Sequence, residues 1–345
     1  MQTIHWKINE QQSNQSIYQE AAELLQNGEC VAFPTETVYG LGADATNQAA
    51  IQKIYAAKGR PSDNPLIVHI GRREQMDSFV ASYPPKALQL MEKFWPGPLT
   101  VILPLKKDSL AANVSAGLST VGVRMPEHPV SLELIKAANI PVAAPSANRS
   151  GKPSPTTANH VIEDLDGKIA GIIDGGPTGV GLESTVIDCS LEMPIILRPG
   201  GITKEQIERV IGPVDSSSNS ATETEKPKAP GMKYTHYAPK APVYLIEGST
   251  EFWQSEINKA EATHKKIGIL ATKELTDKLT TSAVIQTTGS IDALEEVATN
   301  LYNGLRAFDH ADVELIFAEV YPETELGAAI MNRLEKAAGN RRICE

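Results

Sequence analysis

Residues 47–70, NQAAIQKIYAAKGRPSDNPLIVHI, contain a helical pattern, a polar loop and an apolar run in immediate succession. Asn47 is a favoured N-cap residue and Gly59 a favoured C-terminal cap, so the sequence predicts a helix between them. Pro61 prevents the helix from continuing, and the short apolar run that ends at Ile70 is typical of a buried strand. A helix followed at once by a buried strand is typical of an α/β domain.

The same alternation extends to both sides of this stretch. Helical patterns lie at SIYQEAAELLQNG (16–28) and KALQLMEKFW (86–95), the second ending before Pro96. Short runs rich in β-branched residues predict the strands ECVAF (29–33), PLIVHI (65–70), LTVILPL (99–105), TVGVRM (120–125), PVAAP (141–145), STVIDCS (184–190) and PIILRPG (194–200). We therefore predict an N-terminal α/β domain with a mixed sheet.

A second, more regular alternation begins after residue 242. The strands VYLIEG, KIGILA, AVIQTTG and VELIFAEV are predicted to alternate with helices near 251–262 and 272–279, a long helix from Asp292 to Phe308, and a final helix. This order predicts a small, Rossmann-like C-terminal domain with a parallel sheet. Neither a G-x-G-x-x-G after its first strand nor a P-loop motif occurs, so dinucleotide binding is not supported.

The two patterns are separated by a polar segment that we interpret as a linker. VDSSSNSATETEKPKAP (214–230) has the composition of a mobile tether, whereas GMKYTHYAPKAP (231–242) is rich in aromatic and basic residues. The aromatic half has two interpretations of equal weight: a lid that folds over a bound ligand, or a contact that docks the second domain. The predicted domains are residues 1–212 and 242–345, joined by a linker at 213–241.

Bulk composition is that of an ordinary folded protein with 345 residues, 41% hydrophobic and 21% charged. The net charge of −10 argues against a broad nucleic-acid or membrane-binding surface. Three widely spaced cysteines suggest neither a disulfide framework nor a metal cluster. The N-terminus lacks a signal-peptide pattern, and no apolar run is long enough to span a membrane, so we expect a cytoplasmic location.

Polar and cationic residues gather in the loops next to the predicted strands. Lys58 and Arg60, beside the rigid turn at Pro61, suit a polyphosphate, although cations also complement a helix C-terminus. His69 is either a core histidine or a substrate contact. PTETVYGLGADA (34–45) offers hydroxyls and accessible backbone to a small polar ligand, or is simply a capped turn.

Three further loops follow the same pattern. Arg124 ends a strand, where its forked guanidinium could bind a carboxylate. The hydroxyl-rich loop 146–154 leads into a helix start, which is a plausible cradle for phosphate or ribose. Ser184 opens one strand and Arg198 closes another. Together these loops indicate an active site for a nucleotide and a carboxylate-bearing substrate.

The chain resembles the threonylcarbamoyl-AMP synthase family in its long, two-domain form. PTETVYGLG, KGRPSDNPLIVHI, FWPGPLTVIL, VGVRMPEHP, APSANRSGKPSPT, ESTVID and LRPGGIT occur in the family's order. The resemblance implies a YrdC-like N-terminal domain with a twisted mixed sheet and a smaller Sua5-type Rossmann-like C-terminal domain. It also implies a nucleotidyltransferase that condenses L-threonine, bicarbonate and ATP, with Mg2+ bound through ATP, into threonylcarbamoyl-AMP for the modification of tRNA position 37.

Site residues carried over from the resemblance fall into two groups. Those implied for threonine are Thr37, His69, Arg124 and Ser184. Those implied for ATP are Lys58, Arg60, Asn64, Thr120, Ser146, Asn148, Ser154, Arg198 and Tyr237, with Lys58 and Arg60 as catalytic residues and no metal ligand in the protein. The product would pass to a tRNA threonylcarbamoyl transferase complex, and binding of tRNA itself would be weak or indirect.

Two other function classes compete with this interpretation. A double-stranded RNA or tRNA-binding module is disfavoured by the net charge of −10 and by the lack of an aromatic and basic RNA-binding motif. A carbamoyl transferase of hydrogenase maturation is disfavoured because the Cys pairs and the acylphosphatase-like region of that family do not occur here.

Overall fold

The computed structural model describes residues 2–9, 11–216, 236–263, 265–339 and 341–345. The chain divides into two compact units. The N-terminal unit comprises Met1–Ser150, Pro155–Gly179 and Glu183–Lys233, and the C-terminal unit comprises Gly151–Ser154, Val180–Leu182 and Tyr234–Glu345. The domain limits expected from the sequence stay a prediction. No helix in the described part of the chain is long and apolar enough to cross a membrane.

The N-terminal unit is built on a mixed sheet of eleven described strands. In chain order its elements are β1 (Ile4–Lys7), α1 (Gln15–Gln26), β2 (Val31–Phe33), β3 (Gly40–Asp44), α2 (Gln48–Lys58), β4 (Ile67–His69), α3 (Pro85–Phe94), β5 (Leu99–Pro104), β6 (Thr120–Arg124), α4 (Pro129–Ala138), β7 (Val142–Ala143), α5 (Ala158–Leu165), β8 (Gly171–Asp174), β9 (Thr185–Asp188), β10 (Ile195–Arg198), α6 (Lys204–Ile211) and β11 (Asp215–Ser216). The strand order is β1-β8-β2-β3-β7-β4-β6-β5-β9-β10-β11. Parallel and antiparallel pairs both occur, which confirms the predicted mixed sheet.

The caps predicted for α2 are confirmed. The Asn47 side chain accepts hydrogen bonds from the backbone of Ala49 and Ala50, and Gly59 takes the left-handed conformation with φ of 61°. This cap ends the helix at Lys58. The chain is then free to form the polar loop ahead of β4, which positions several candidate site residues.

The alternation of strand residues gives the sheet two different faces. Val68, Val101, Val123 and Ile187 belong to the main hydrophobic core of the unit, on what we call the core face. Their neighbours along the strands point the other way because side chains alternate in a strand. This opposite surface, the site face, carries Ile67, His69, Thr100, Ile102, Gly122, Arg124, Val186 and Arg198. It combines a small apolar cluster of Ile67, Ile102 and Val186 with polar and charged side chains.

The C-terminal unit contains a five-stranded sheet. Its elements are β12 (Val243–Glu247), α7 (Thr250–Ala262), β13 (Ile267–Ala271), α8 (Lys273–Thr276), β14 (Val284–Thr287), α9 (Leu294–Ala307), β15 (Leu315–Glu319), α10 (Leu326–Ala338) and β16 (Arg342–Cys344). The strands lie in the order β14-β13-β15-β12-β16 and every pair is parallel. The Rossmann-like prediction is therefore confirmed, although the helix predicted near 272–279 is shorter than expected.

Candidate active site

The most unusual feature of the site face is a buried ion pair between Arg124 and Glu36. Nη2 of Arg124 lies 2.7 Å from Oε2 of Glu36, and the two side chains are only 5% and 11% exposed. Four buried atoms of this pair make no aligned hydrogen bond within the described residues: Oε1 and Oε2 of Glu36, and Nε and Nη2 of Arg124. A buried donor or acceptor that lacks a hydrogen-bond partner costs about 1–3 kcal/mol, and a charged group costs more. The pair is therefore suited to a ligand that supplies the missing partners.

His69 lies next to this ion pair. In the parallel register of β4 and β6, His69 is paired with Arg124. Burial, and secondarily the positive charge of Arg124, lower the pKa of His69 to about 3. Its Nδ1 is 3.2 Å from the carbonyl oxygen of Ile67. Since that contact requires Nδ1 to carry the proton, Nε2 of the neutral ring is left as a hydrogen-bond acceptor.

Arg198 and Ser184 form a second polar group on this side of the sheet. Nε and Nη2 of Arg198 donate to the carbonyl oxygen of Ser184 at 3.1 and 3.0 Å, and Nη2 also lies 3.2 Å from Ser184 Oγ. That hydroxyl is 2.8 Å from Oγ1 of Thr100. A register shift between Ile196 and Arg198 places Arg198 opposite Val186. The irregularity thereby aims the guanidinium at the site face.

The loop between β2 and β3 carries three consecutive polar residues. Thr35 Oγ1 donates to the carbonyl oxygen of Val38 at 2.6 Å and lies 2.9 Å from Thr37 Oγ1. Thr35 thus performs the turn-stabilising role that the sequence left open. Thr37 is fully buried beside it, and Glu36 between them reaches Arg124.

Lys58 joins the end of α2 to the loop that follows β7. Its Nζ donates to the carbonyl oxygens of Ser146 and Asn148 at 2.5 and 2.6 Å, and lies 3.4 Å from Asn148 Oδ1. Ser146 Oγ in turn donates to the same Oδ1 at 2.5 Å. Complementing a helix C-terminus is therefore not the only role of Lys58, because it fixes the conformation of a second loop.

Arg60 and Asn64 lie on the loop ahead of β4. Arg60 Nη2 donates to the carbonyl oxygen of Pro65 at 3.2 Å. Asn64 is only 1% exposed, and its carbonyl oxygen accepts a hydrogen bond from the Tyr55 hydroxyl at 3.1 Å. Its side-chain Oδ1 is buried without a hydrogen-bond partner among the described residues. This oxygen is available to a donor from a ligand.

The remaining predicted residues are spread more widely than strand-end loops alone suggested. Thr120 begins β6, four residues before Arg124, which corresponds to about 13 Å along the strand. The two residues would therefore contact different parts of a ligand. Ser154 and Tyr237 belong to the C-terminal unit. Of the other candidates in the aromatic half of the linker, Met232 and Tyr234 lie outside the described residues, whereas the ring centroid of His236 lies 5.5 Å from that of Tyr237.

Tyr237 packs within the C-terminal unit. Its ring stacks on that of Tyr302, with centroids 5.3 Å apart, and the guanidinium carbon of Arg333 is 5.8 Å from its centroid. The side chain is buried, with φ of 67°. These contacts lie inside one unit, so the docking interpretation, the lid interpretation and the assignment of Tyr237 to ATP all stay predictions.

Sequence reasoning missed Glu36. The hydroxyl groups of the TET segment drew attention, and the acidic residue between them did not. One signal was available: a carboxylate flanked by two threonines, between a buried strand and a glycine-rich one, has few ways to reach water.

Comparison with known proteins gives a consistent result over the whole chain. Residues 23–200 match the family described as telomere recombination, and residues 202–339 match the threonylcarbamoyl-AMP synthase C-terminal domain. The threonylcarbamoyl-AMP synthase of Bacillus subtilis is 53% identical over 99% of this chain and 100% of its own length. The Pyrococcus abyssi enzyme of the same name is 46% identical over 94% of each chain. The crystal structure of Pyrococcus abyssi Sua5 with L-threonine superposes with a TM-score of 0.92 at 44% identity, covering both chains completely.

Proposed function

The chain belongs to the threonylcarbamoyl-AMP synthase family, and from this premise we propose that it condenses L-threonine, bicarbonate and ATP into threonylcarbamoyl-AMP and pyrophosphate. The product is the activated intermediate for the threonylcarbamoyl modification of adenosine at tRNA position 37. Transfer of the adenylyl group makes the enzyme a nucleotidyltransferase.

The observation that carries this proposal is the buried Arg124 and Glu36 pair beside neutral His69. An amino acid carries both a carboxylate and an ammonium group, and threonine adds a hydroxyl. Arg124 can bind the carboxylate through two parallel hydrogen bonds. Nε2 of His69 can accept a hydrogen bond from the hydroxyl group of the substrate. Thr37 and Ser184 complete the proposed threonine site.

The ATP part of the proposal rests on the cations and amides further along the site. Arg60 and Arg198 are placed to stabilise negative charge that develops on the phosphates. Lys58 holds the loop that presents Ser146 and Asn148. The proposed ATP contacts also include Asn64, Thr120, Ser154 and Tyr237.

Mg2+ enters the proposal as the partner of the ATP phosphates. In the proposal the ion is bound through the ATP phosphates; the described residues contain no group of three or more His, Cys, Asp or Glu side chains that could hold a metal ion. When bound, the ion supplies charge neutralisation at the phosphates.

Chemistry proceeds in two steps. The amine of threonine attacks the carbon of bicarbonate, water leaves, and N-carboxythreonine forms. One oxygen of its new carboxylate attacks the α-phosphorus of ATP, and the bond to the bridging oxygen breaks to release pyrophosphate. The protein's contribution is to align the two substrates and to stabilise the developing charge.

Incubation of the protein with ATP and bicarbonate, with and without L-threonine, tests this function through pyrophosphate release. We expect release to require threonine and a threonylcarbamoyl adenylate to appear in equal amount. Absence of threonine-dependent release would contradict the proposal.

We further propose a cytoplasmic location and transfer of the product to a tRNA threonylcarbamoyl transferase complex, with only weak or indirect contact to tRNA itself.

A further inference from the structure

Glu36 has no assigned role, yet it is the acidic member of the proposed threonine site. Its carboxylate is buried, reaches Arg124 at 2.7 Å, and has both oxygens without an aligned hydrogen bond among the described residues. A buried carboxylate in this condition is costly to maintain for structure alone, since replacing a buried ion pair by apolar residues is often neutral or stabilising. Its position beside the cation proposed to bind the threonine carboxylate points to a chemical role.

The charges around the site indicate that role. Apart from Glu36, the charged residues named for the proposed function are cations: Arg124 for threonine, and Lys58, Arg60 and Arg198 for ATP. The charge of Arg124 would repel an α-ammonium group bound beside it, because like charges at short range in a buried site interact strongly. The ammonium is attached to the same carbon as the carboxylate that Arg124 is proposed to bind. A carboxylate in contact with Arg124 is therefore in the right position to offset the ammonium charge.

We propose that Glu36 binds the α-ammonium group of threonine and accepts a proton from it, so that it is a further catalytic and specificity-determining residue. This inference rests on the proposed function. In the free protein Glu36 and Arg124 neutralise each other. When threonine binds, its carboxylate takes the place of Glu36 at Arg124, and Glu36 turns to the ammonium. Each buried charge then keeps a partner of opposite sign.

Proton transfer to Glu36 makes the nitrogen nucleophilic. The ammonium gives one proton to the carboxylate and becomes a neutral amine, while Glu36 becomes a carboxylic acid. The nitrogen lone pair then forms the bond to the carbon of bicarbonate, and the carbon–hydroxyl bond breaks. A second proton from nitrogen leaves with that hydroxyl as water. Glu36 returns its proton to solvent after the product departs.

Substitution Glu36→Gln, with binding measured by calorimetry, tests the inference. The ligands are L-threonine and 2,3-dihydroxybutanoate of the same configuration, in which a hydroxyl replaces the amino group. We expect the variant to bind threonine roughly tenfold to hundredfold more weakly, the range for one hydrogen bond between charged groups. It should bind the analogue equally well or more tightly, because Arg124 loses its internal competitor. Glu127→Gln, on an exposed residue of the loop after β6, is the matched control and should bind both ligands as the wild type does.

A purely structural Glu36 gives a different pattern. If Glu36 only holds Arg124 in place, both ligands should weaken in parallel, and that result would overturn the inference. If Glu36→Gln does not fold, Glu36→Asp keeps the charge but shortens the side chain, and the same difference between the two ligands is expected in smaller size. The two experiments distinguish the two proposals, because binding is measured without turnover. If the wild-type protein releases no pyrophosphate, the proposed function is rejected. If Glu36→Gln loses affinity equally for both ligands, the role of Glu36 is rejected.

Discussion

The low pKa of His69 leads to a measurable dependence of stability on pH. In the folded protein burial and Arg124 lower this pKa to about 3, whereas in the unfolded chain a histidine has a pKa of about 6.5. Between these values the unfolded state binds one more proton at this position than the folded state. Stability therefore rises with pH across this window and is lost as the pH falls from about 6.5 toward 3.

The magnitude follows from the two pKa values. At pH 5 the imidazole is almost fully protonated in the unfolded state. This protonation lowers the free energy of unfolding by about 2 kcal/mol. At pH 7.5 the same contribution is close to zero. Replacing His69 with Gln removes the titration, so the variant should lose about 2 kcal/mol less than the wild type between pH 7.5 and pH 5.

Urea unfolding at pH 5.0, 6.0 and 7.5, followed by a probe confined to the N-terminal unit, measures this difference. The control is His5→Gln at an exposed position; His5 pairs with Asp166 at 2.9 Å, and loss of this surface pair should change the pH dependence by no more than about 1 kcal/mol. Activity offers a second measurement. Near pH 6.5 the KM for threonine should show no transition that can be assigned to His69, so the wild type and His69→Gln should have the same pH dependence there. If the free energy of unfolding depends on pH in the same way for the wild type and His69→Gln, the argument that folded His69 is neutral is refuted.

Three further predictions concern binding and packing. Arg60→Ala should remain folded but lose most threonine-dependent pyrophosphate release, because a lost cation at a transferring phosphoryl group costs several kcal/mol; near-normal turnover would refute its phosphate role. Arg124→Lys should raise the KM for threonine far more than that for ATP, since Lys cannot form two parallel bonds with a carboxylate; equal effects on both substrates would argue against this assignment. Tyr237→Ala should destabilise the C-terminal unit by about 3 kcal/mol in thermal unfolding, because the stack on Tyr302 is lost, and an unchanged melting temperature would contradict the docking interpretation.

Much of the fold is predictable from local patterns, and the exceptions have physical reasons. The capped helix α2 and the strands rich in β-branched residues are confirmed. β3, with the sequence GLGAD, was missed because glycine is a poor strand former. Its Gly42 is required by packing, since a Cβ atom there would lie 2.6 Å from the Phe33 ring and 2.8 Å from Val142. Such a requirement is visible only in three dimensions.

The candidate site was less accessible to sequence reasoning than the fold. Individual residues such as Arg124 and His69 could be named, because polar residues at the ends of apolar strands are conspicuous. Their pairing across β4 and β6 could not be predicted, since register depends on the whole sheet. The contact between Glu36 and Arg124 joins residues 88 positions apart in sequence, so no local pattern contains it.

The two-faced strands of the N-terminal unit make this region intolerant of small insertions and deletions. Removing a single residue from β6 would turn Arg124 toward the apolar layer and bring Val123 into the place of the guanidinium, because successive side chains alternate. Stability and activity would be lost in one step. Active variants of this chain should therefore carry insertions and deletions in loops such as 190–194, whereas β4 and β6 should tolerate substitutions only.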